Sequence, residues 1–266
     1  MKANLCPIRF VAAIVMAVGL AITAHAQTVL LDFGNSNSGS FRGVSVPNPD
    51  PNGNYWNSLQ PGLFYAAGSL VDVNNNATTL QFGFDGTPVG TDSYNGPAGA
   101  IAGFPKPTAA EIAATDIDAA ALGNLGVKEA AIDYANSVGG GQDCRFQIQG
   151  LNTALTYDLT LFASHKYTTD VTTVFSVFNE NTYSTLIGTA NLDVRDAVDG
   201  SLHNRDTVAT IAGLSPDANG ILYVRFIGTS GAEGYLNSMQ LTAIPEPSAL
   251  LLLVGGAVVL VGFRRH

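Results

Sequence analysis

Tyr157-Asp-Leu-Thr-Leu-Phe-Ala-Ser164 puts Tyr157, Leu159, Leu161 and Ala163 on one side of an extended chain, since successive strand side chains point to opposite faces. One apolar face needs a partner to bury it. The same pattern continues on both sides of this stretch. Upstream, Cys144-Arg-Phe-Gln-Ile-Gln149 alternates, and so does Thr79-Leu-Gln-Phe-Gly-Phe84, with Leu80, Phe82 and Phe84 together. Downstream, strands are expected over residues 173–178, 183–191, 207–212, 221–227 (Leu222, Val224 and Phe226 in register) and 235–243. Thr28-Val-Leu-Leu-Asp-Phe-Gly34 reads as the first strand and residues 68–73 as a short one. Many short strands separated by Gly, Asn and Asp turns predict an all-β fold, two antiparallel sheets packed as a β-sandwich.

One helix interrupts the pattern. Thr108-Ala-Ala-Glu111 matches a capping box, and the alanine-rich run after it favours a helix up to Gly123. Whether helix resumes in residues 127–134 is open from the sequence. Residues 47–57, rich in Pro, Asn and Gly, read as a long loop carrying the only tryptophan of the chain, Trp56.

Neither terminal segment belongs to this fold. Lys2 and Arg9 precede an uncharged apolar run from Phe10 to Ile22, and Ala24-His-Ala26 supplies a small-x-small cleavage site, so residues 1–26 read as a signal peptide removed by signal peptidase. At the other end, Pro245-Glu246-Pro247 is followed by an apolar run from Ala249 to Phe263 and by Arg264-Arg265. That run is about 22 Å long as a helix, short for a permanent span, and its arginines suit the cytoplasmic headgroups. Residues 244–266 resemble the PEP-CTERM sorting signal of Gram-negative bacteria. The resemblance implies a transmembrane helix that tethers the protein to the inner membrane, an exosortase that cuts at or near Pro245, Glu246 and Pro247, and a destination at the cell surface or in the extracellular matrix.

Residues 27–243 remain as a single domain. The whole chain carries a formal charge of −9; this domain keeps 8 of the 12 basic and 20 of the 21 acidic side chains, so its charge is near −12. Such a surface argues against nucleic acid as a partner, because phosphate binding needs a cationic footprint. Cys6 leaves with the signal peptide, so Cys144 can form no intramolecular disulfide and reads as a small buried hydrophobe.

The segments Asp32-Phe-Gly34, Tyr55-Trp-Asn57, Leu122-Gly-Asn-Leu-Gly-Val-Lys-Glu-Ala-Ala131, Tyr157 to Ser164 and Gly234-Tyr-Leu-Asn-Ser-Met239 together resemble the galactose-binding-like jelly roll of exported bacterial proteins. The resemblance implies a jelly roll of two antiparallel sheets, in some members carbohydrate-binding and in others structural.

Three candidate sites follow. Tyr55, Trp56 and Asn57, with Tyr167 as a further aromatic, could stack on a pyranose and bond its hydroxyls, although Trp56 could equally plug the core. Asp50, Asn52 and Asn54 place oxygens at alternate positions as calcium loops do, but without the downstream bidentate Glu; a plain Asx turn is the competing reading, and no other cofactor is indicated. His165 and His203 are expected in exposed loops. Ser164 adjoins His165, but no Gly-x-Ser-x-Gly elbow is present, and among the many acids no catalytic pair stands out. The expectation is an exported, non-catalytic surface or matrix protein that binds extracellular polysaccharide. A polysaccharide hydrolase and a ligand-free coat or adhesion protein are the alternatives.

Overall fold

The computed structural model describes residues 27–33, 43–60, 63–85, 89–92, 107–137, 141–166, 171–196 and 198–245. Residues 1–26, expected as a signal peptide, the tail from Glu246 onward with Arg264 and Arg265, and Tyr167 lie outside them. Among the described residues no helix is long and apolar enough to cross a membrane.

The chain forms β1 (Thr28–Phe33), β2 (Trp56–Leu59), β3 (Phe64–Tyr65), β4 (Gln81–Phe84) and β5 (Val89–Asp92). Three short helices follow, α1 (Ala109–Ala113), α2 (Ala119–Leu122) and α3 (Lys128–Ile132). Then come β6 (Tyr134–Ser137), β7 (Cys144–Gln149), β8 (Leu155–Phe162), β9 (Thr172–Phe178), β10 (Leu186–Asp193), β11 (Ala209–Leu214), β12 (Leu222–Gly228), β13 (Tyr235–Leu236) and β14 (Ser238–Pro245). A five-stranded sheet ordered β11-β8-β14-β1-β2 faces a six-stranded sheet ordered β10-β9-β12-β7-β4-β3, and a small sheet ordered β13-β6-β5 completes the set. The β-sandwich is therefore present.

The two sheets differ in what covers them, and the burial patterns show it. β7 alternates strictly, with Cys144, Phe146 and Ile148 buried and Arg145, Gln147 and Gln149 half-buried. β1 is buried along nearly its whole length. Its Val29, Leu31 and Phe33 enter the core between the sheets, while Leu30 enters a second cluster with Trp56, Phe162, Leu122, Leu125, Val127, Ala130 and Ala131. The helical segment thus covers the outer face of the five-stranded sheet, so β1 reads as a continuous apolar run, as strands buried on both faces do. In the main core Phe33, Phe82, Phe84 and Phe146 pack edge-on or tilted, with centroids 5.0 to 6.4 Å apart. Cys144 is fully buried there.

Several sequence expectations need correction. The pairing is not wholly antiparallel: β2 runs parallel to β1, with Leu30 opposite Trp56. The expected loop therefore ends in a strand, because Trp56 and Leu59 find apolar surface beside β1. Residues 68–73 form no strand; Val71 makes one isolated bridge to Ala77 around a tight turn at Asp72. The single helix is three. The capping box at Thr108 and Glu111 forms as expected. The Thr115 hydroxyl then donates to the Glu111 carbonyl, and the Asp118 carboxylate takes the N–H groups of Ala120 and Ala121 to cap a new helix. Side chains of this kind offer the backbone local alternatives that end one helix and start another. The last expected strand breaks at Asn237, which is diverted to other work.

Candidate functional site

Asp50 heads a tight turn. Its Oδ1 accepts the backbone N–H groups of Asn52 and Asn54, both at 2.8 Å, and its Oδ2 accepts the Trp56 indole N–H at 2.9 Å. The carboxylate is 5% exposed and points inward at these donors. Trp56, 2% exposed, is held from both ends, because Asn48 also pairs its backbone through Trp56 N–H to Oδ1 (2.7 Å) and Nδ2–H to the Trp56 carbonyl (2.9 Å). Its ring belongs to the helix-covered cluster. Trp56 therefore plugs the core and has no open face on which a sugar could stack. Asn57 is likewise structural: Nδ2 donates to the carbonyls of Leu30 and Val71, and Oδ1 accepts from Val71 N–H. Tyr55 is half-buried. The turn brings Asp50, Trp56 and Asn57 together as scaffold, while Asn52 lies on the outer surface. Among the described residues no group of three or more His, Cys, Asp or Glu side chains is placed to hold a metal ion.

A second constellation gathers where β1, β8 and β14 meet the end of α3. Asn237, fully buried, donates through Nδ2 to the carbonyls of Ala131 (3.1 Å) and Asp133 (2.8 Å) and accepts Ser164 N–H on Oδ1 at 2.7 Å. Its backbone links Phe33 and Phe162. One amide thus fastens the helical cover to the sheet. Nearby, Asp32 is completely buried, accepting the Ser58 hydroxyl (2.7 Å) and the Val46 N–H (3.3 Å) on Oδ2. Burial pushes its pKa up to about 7, against the pull of those two donors, and the Glu129 charge adds to the rise. Asp32 thus keeps its proton well above the usual carboxylate range, but it has no exposed surface through which to reach a solvent-borne substrate.

The histidines are not exposed. His165 and His203 are each 6% exposed. His165 stacks on Tyr235 at 4.5 Å and meets Tyr134 edge-on at 5.1 Å. Burial, with a smaller contribution from His203, lowers its pKa to about 4. His203 Nε2 lies 3.2 Å from the Asp116 carbonyl, a contact that requires the proton on that nitrogen; burial lowers its pKa too. Arg205 bonds Asp196 (2.6 Å) and Asp116 (2.9 Å), drawing the loop before β11 onto the segment ahead of α2. The Ser164 hydroxyl donates to the Asn204 carbonyl at 2.7 Å. His165 turns inward because Tyr134 and Tyr235 offer its ring a surface that solvent does not, and His203 is held by the Asp116 carbonyl.

Sequence reasoning passed over Asp32 and Asn237 as individual residues, although both sit inside the segments that carry the jelly-roll resemblance. The available signal was a single polar side chain set in an otherwise apolar strand, which must find buried partners. No family model and no curated protein matches this chain.

Proposed function

We propose that this is an exported, non-catalytic surface or matrix protein with the galactose-binding-like jelly-roll design, sorted by an exosortase through its Pro-Glu-Pro tail and associated with extracellular polysaccharide. The observation that supports this most is where the fold closes. β14 is an inner strand of the five-stranded sheet, paired with β1 and β8, and its final rung sets Pro245 opposite Leu155. Among the described residues no core side chain lies beyond Ala243, which is what a tail that is held and then cut away would require. A segment appended to a finished fold can be membrane-held, then cut, without unfolding what precedes it. Thr28 pairs with Thr242, so the start of β1 and the finish of β14 lie at the same end of two neighbouring inner strands.

Intact mass spectrometry of the protein from a host with the sorting enzyme, and from the same host lacking it, tests the sorting. Loss of Arg264 and Arg265 only when the enzyme is present is the expected result. Identical full-length masses in both would overturn it.

A further inference from the structure

The outer face of the six-stranded sheet is covered at β9 and β12 by Tyr183, which packs on Phe178 and Tyr223, but its β3-β4-β7 side carries chemistry that neither the core nor the loops use. Phe64 on β3 is 60% exposed, and its register partner across the sheet is Gly83 on β4. A Cβ on Gly83 would lie 2.8 Å from Phe64 Cδ2, so the ring rests directly on the glycine. Such a pairing holds an aromatic side chain against a sheet while leaving its other side open. Gly83 is in turn opposite Gln147 on β7, and Gln81 is opposite Gln149. Phe146, Ile148 and Phe82 point into the core, so Gln147, Gln149 and Gln81 stand on the same outer face as Phe64. Gln149 Nε2 donates to Gln147 Oε1 at 2.9 Å. Among the described residues the Gln81 amide has no protein partner, and neither has the Gln147 Nε2 or the Gln149 Oε1.

We infer that this face is a binding site for a neutral polysaccharide chain, with Phe64 stacking on a sugar ring and the glutamine amides bonding its hydroxyls. The site deepens the proposed function and rests on its polysaccharide clause. A pyranose has an apolar C–H face and a rim of hydroxyls that both donate and accept, and carboxamides match that rim in both roles. Phe64 and Gln147 are two strands apart, about 10 Å at the usual strand spacing, enough for adjacent sugar units. The neighbouring charge is consumed within the protein. Arg145 pairs with Asp143 at 3.0 Å and its guanidinium lies 4.7 Å from the Tyr183 ring centroid. Arg225, opposite Arg145, is likewise turned inward, 3.9 Å from Asp143 and 5.0 Å from the Phe178 ring centroid, and with both cations held inside a strongly acidic domain the β3-β4 side of the face suits an uncharged chain and disfavours a polyanion.

The test is native affinity electrophoresis of the full chain through gels containing galactomannan, dextran or xylan, with alginate as the anionic comparison. Retardation by at least one neutral polymer is expected, weakened at least fivefold by Phe64→Ala and severalfold by Gln147→Ala, with Trp56→Phe behaving as the parent. Retardation unaffected by Phe64→Ala, retardation by alginate alone, or none by any polymer would overturn the site. So would a dimer in sedimentation that Phe64→Ala dissolves, since a second copy would then cover the ring. Intact mass on the same samples separates this inference from the sorting: a trimmed chain without retardation sinks only the sugar face, and an untrimmed chain with Phe64-dependent retardation sinks only the sorting.

Discussion

His165 and Asp32 should impose opposite pH dependences on stability, and removing either one should expose the other. His165 has a pKa near 4 in the fold and about 6.5 when unfolded. Between those values the unfolded chain holds one more proton, so stability rises with pH by about 1.4 kcal/mol per unit, about 3 kcal/mol over the window, and is lost on acidification. Asp32 has a pKa near 7 in the fold and about 3.8 when unfolded. Here the folded chain holds the extra proton, so stability is present at low pH and falls as pH rises, again by about 1.4 kcal/mol per unit. Between pH 4 and 6.5 the two slopes oppose each other. His165→Phe keeps the ring against Tyr235 but removes the titration, and its stability should fall across that window relative to the parent. Asp32→Asn imitates the protonated acid, and its stability should rise relative to the parent. Urea unfolding at pH 4.5, 5.5 and 6.5 measures this directly, followed by the fluorescence of Trp56, the chain's one tryptophan and a buried one. Parallel curves for all three proteins would refute the reasoning, because two buried groups with displaced pKa values cannot be silent.

Trp56→Phe keeps most of the ring volume but deprives Asp50 Oδ2 of its indole donor, so a loss of about 1–3 kcal/mol is expected in chemical denaturation. Asn237→Ala strands the Ser164 N–H and leaves the Ala131 and Asp133 carbonyls without its amide; the expected cost is about 3 kcal/mol or more, with the helical cover losing amide-exchange protection before the six-stranded sheet does. Treatment with EDTA should leave the thermal midpoint unchanged, because the Asp50 carboxylate is already met by three N–H donors; a fall of several degrees, restored by calcium, would show that the loop takes a cation instead.

The sandwich was legible wherever only one face of a strand is buried. β7 alternates strictly, β12 does so apart from Tyr223, which is buried on the opposite face by Tyr183, and the apolar sets Cys144, Phe146, Ile148 and Leu222, Val224, Phe226 are all in the core. β2 was not legible, because Trp-Asn-Ser-Leu has no period, and what makes it a strand is its parallel partner β1, far away in sequence. The histidines were misread for a related reason: polar neighbours in sequence say nothing of Tyr134 and Tyr235, which arrive from other strands to bury the His165 ring.

The Asp50 loop shows the limit most sharply, since its pattern was seen and its chemistry was ambiguous. Among the described residues the same geometry occurs three times. Asp50, Asp72 and Asp217 each accept on Oδ1 the N–H groups two and four residues on. The residue three on has positive φ in every case: Gly53 at 87°, Asn75 at 64° and Gly220 at 74°. Glycine and asparagine are the residues that tolerate this conformation, so Asp-x-Asn followed by Gly or Asn specifies the turn. A calcium loop also opens with Asp and sets Asn at alternate positions, but it does so to converge oxygens on a cation. In these turns the chain converges backbone N–H groups on the carboxylate instead. Spacing alone cannot distinguish a ring of acceptors from a ring of donors; the N–H groups two and four residues on, both aimed at one Oδ1, do.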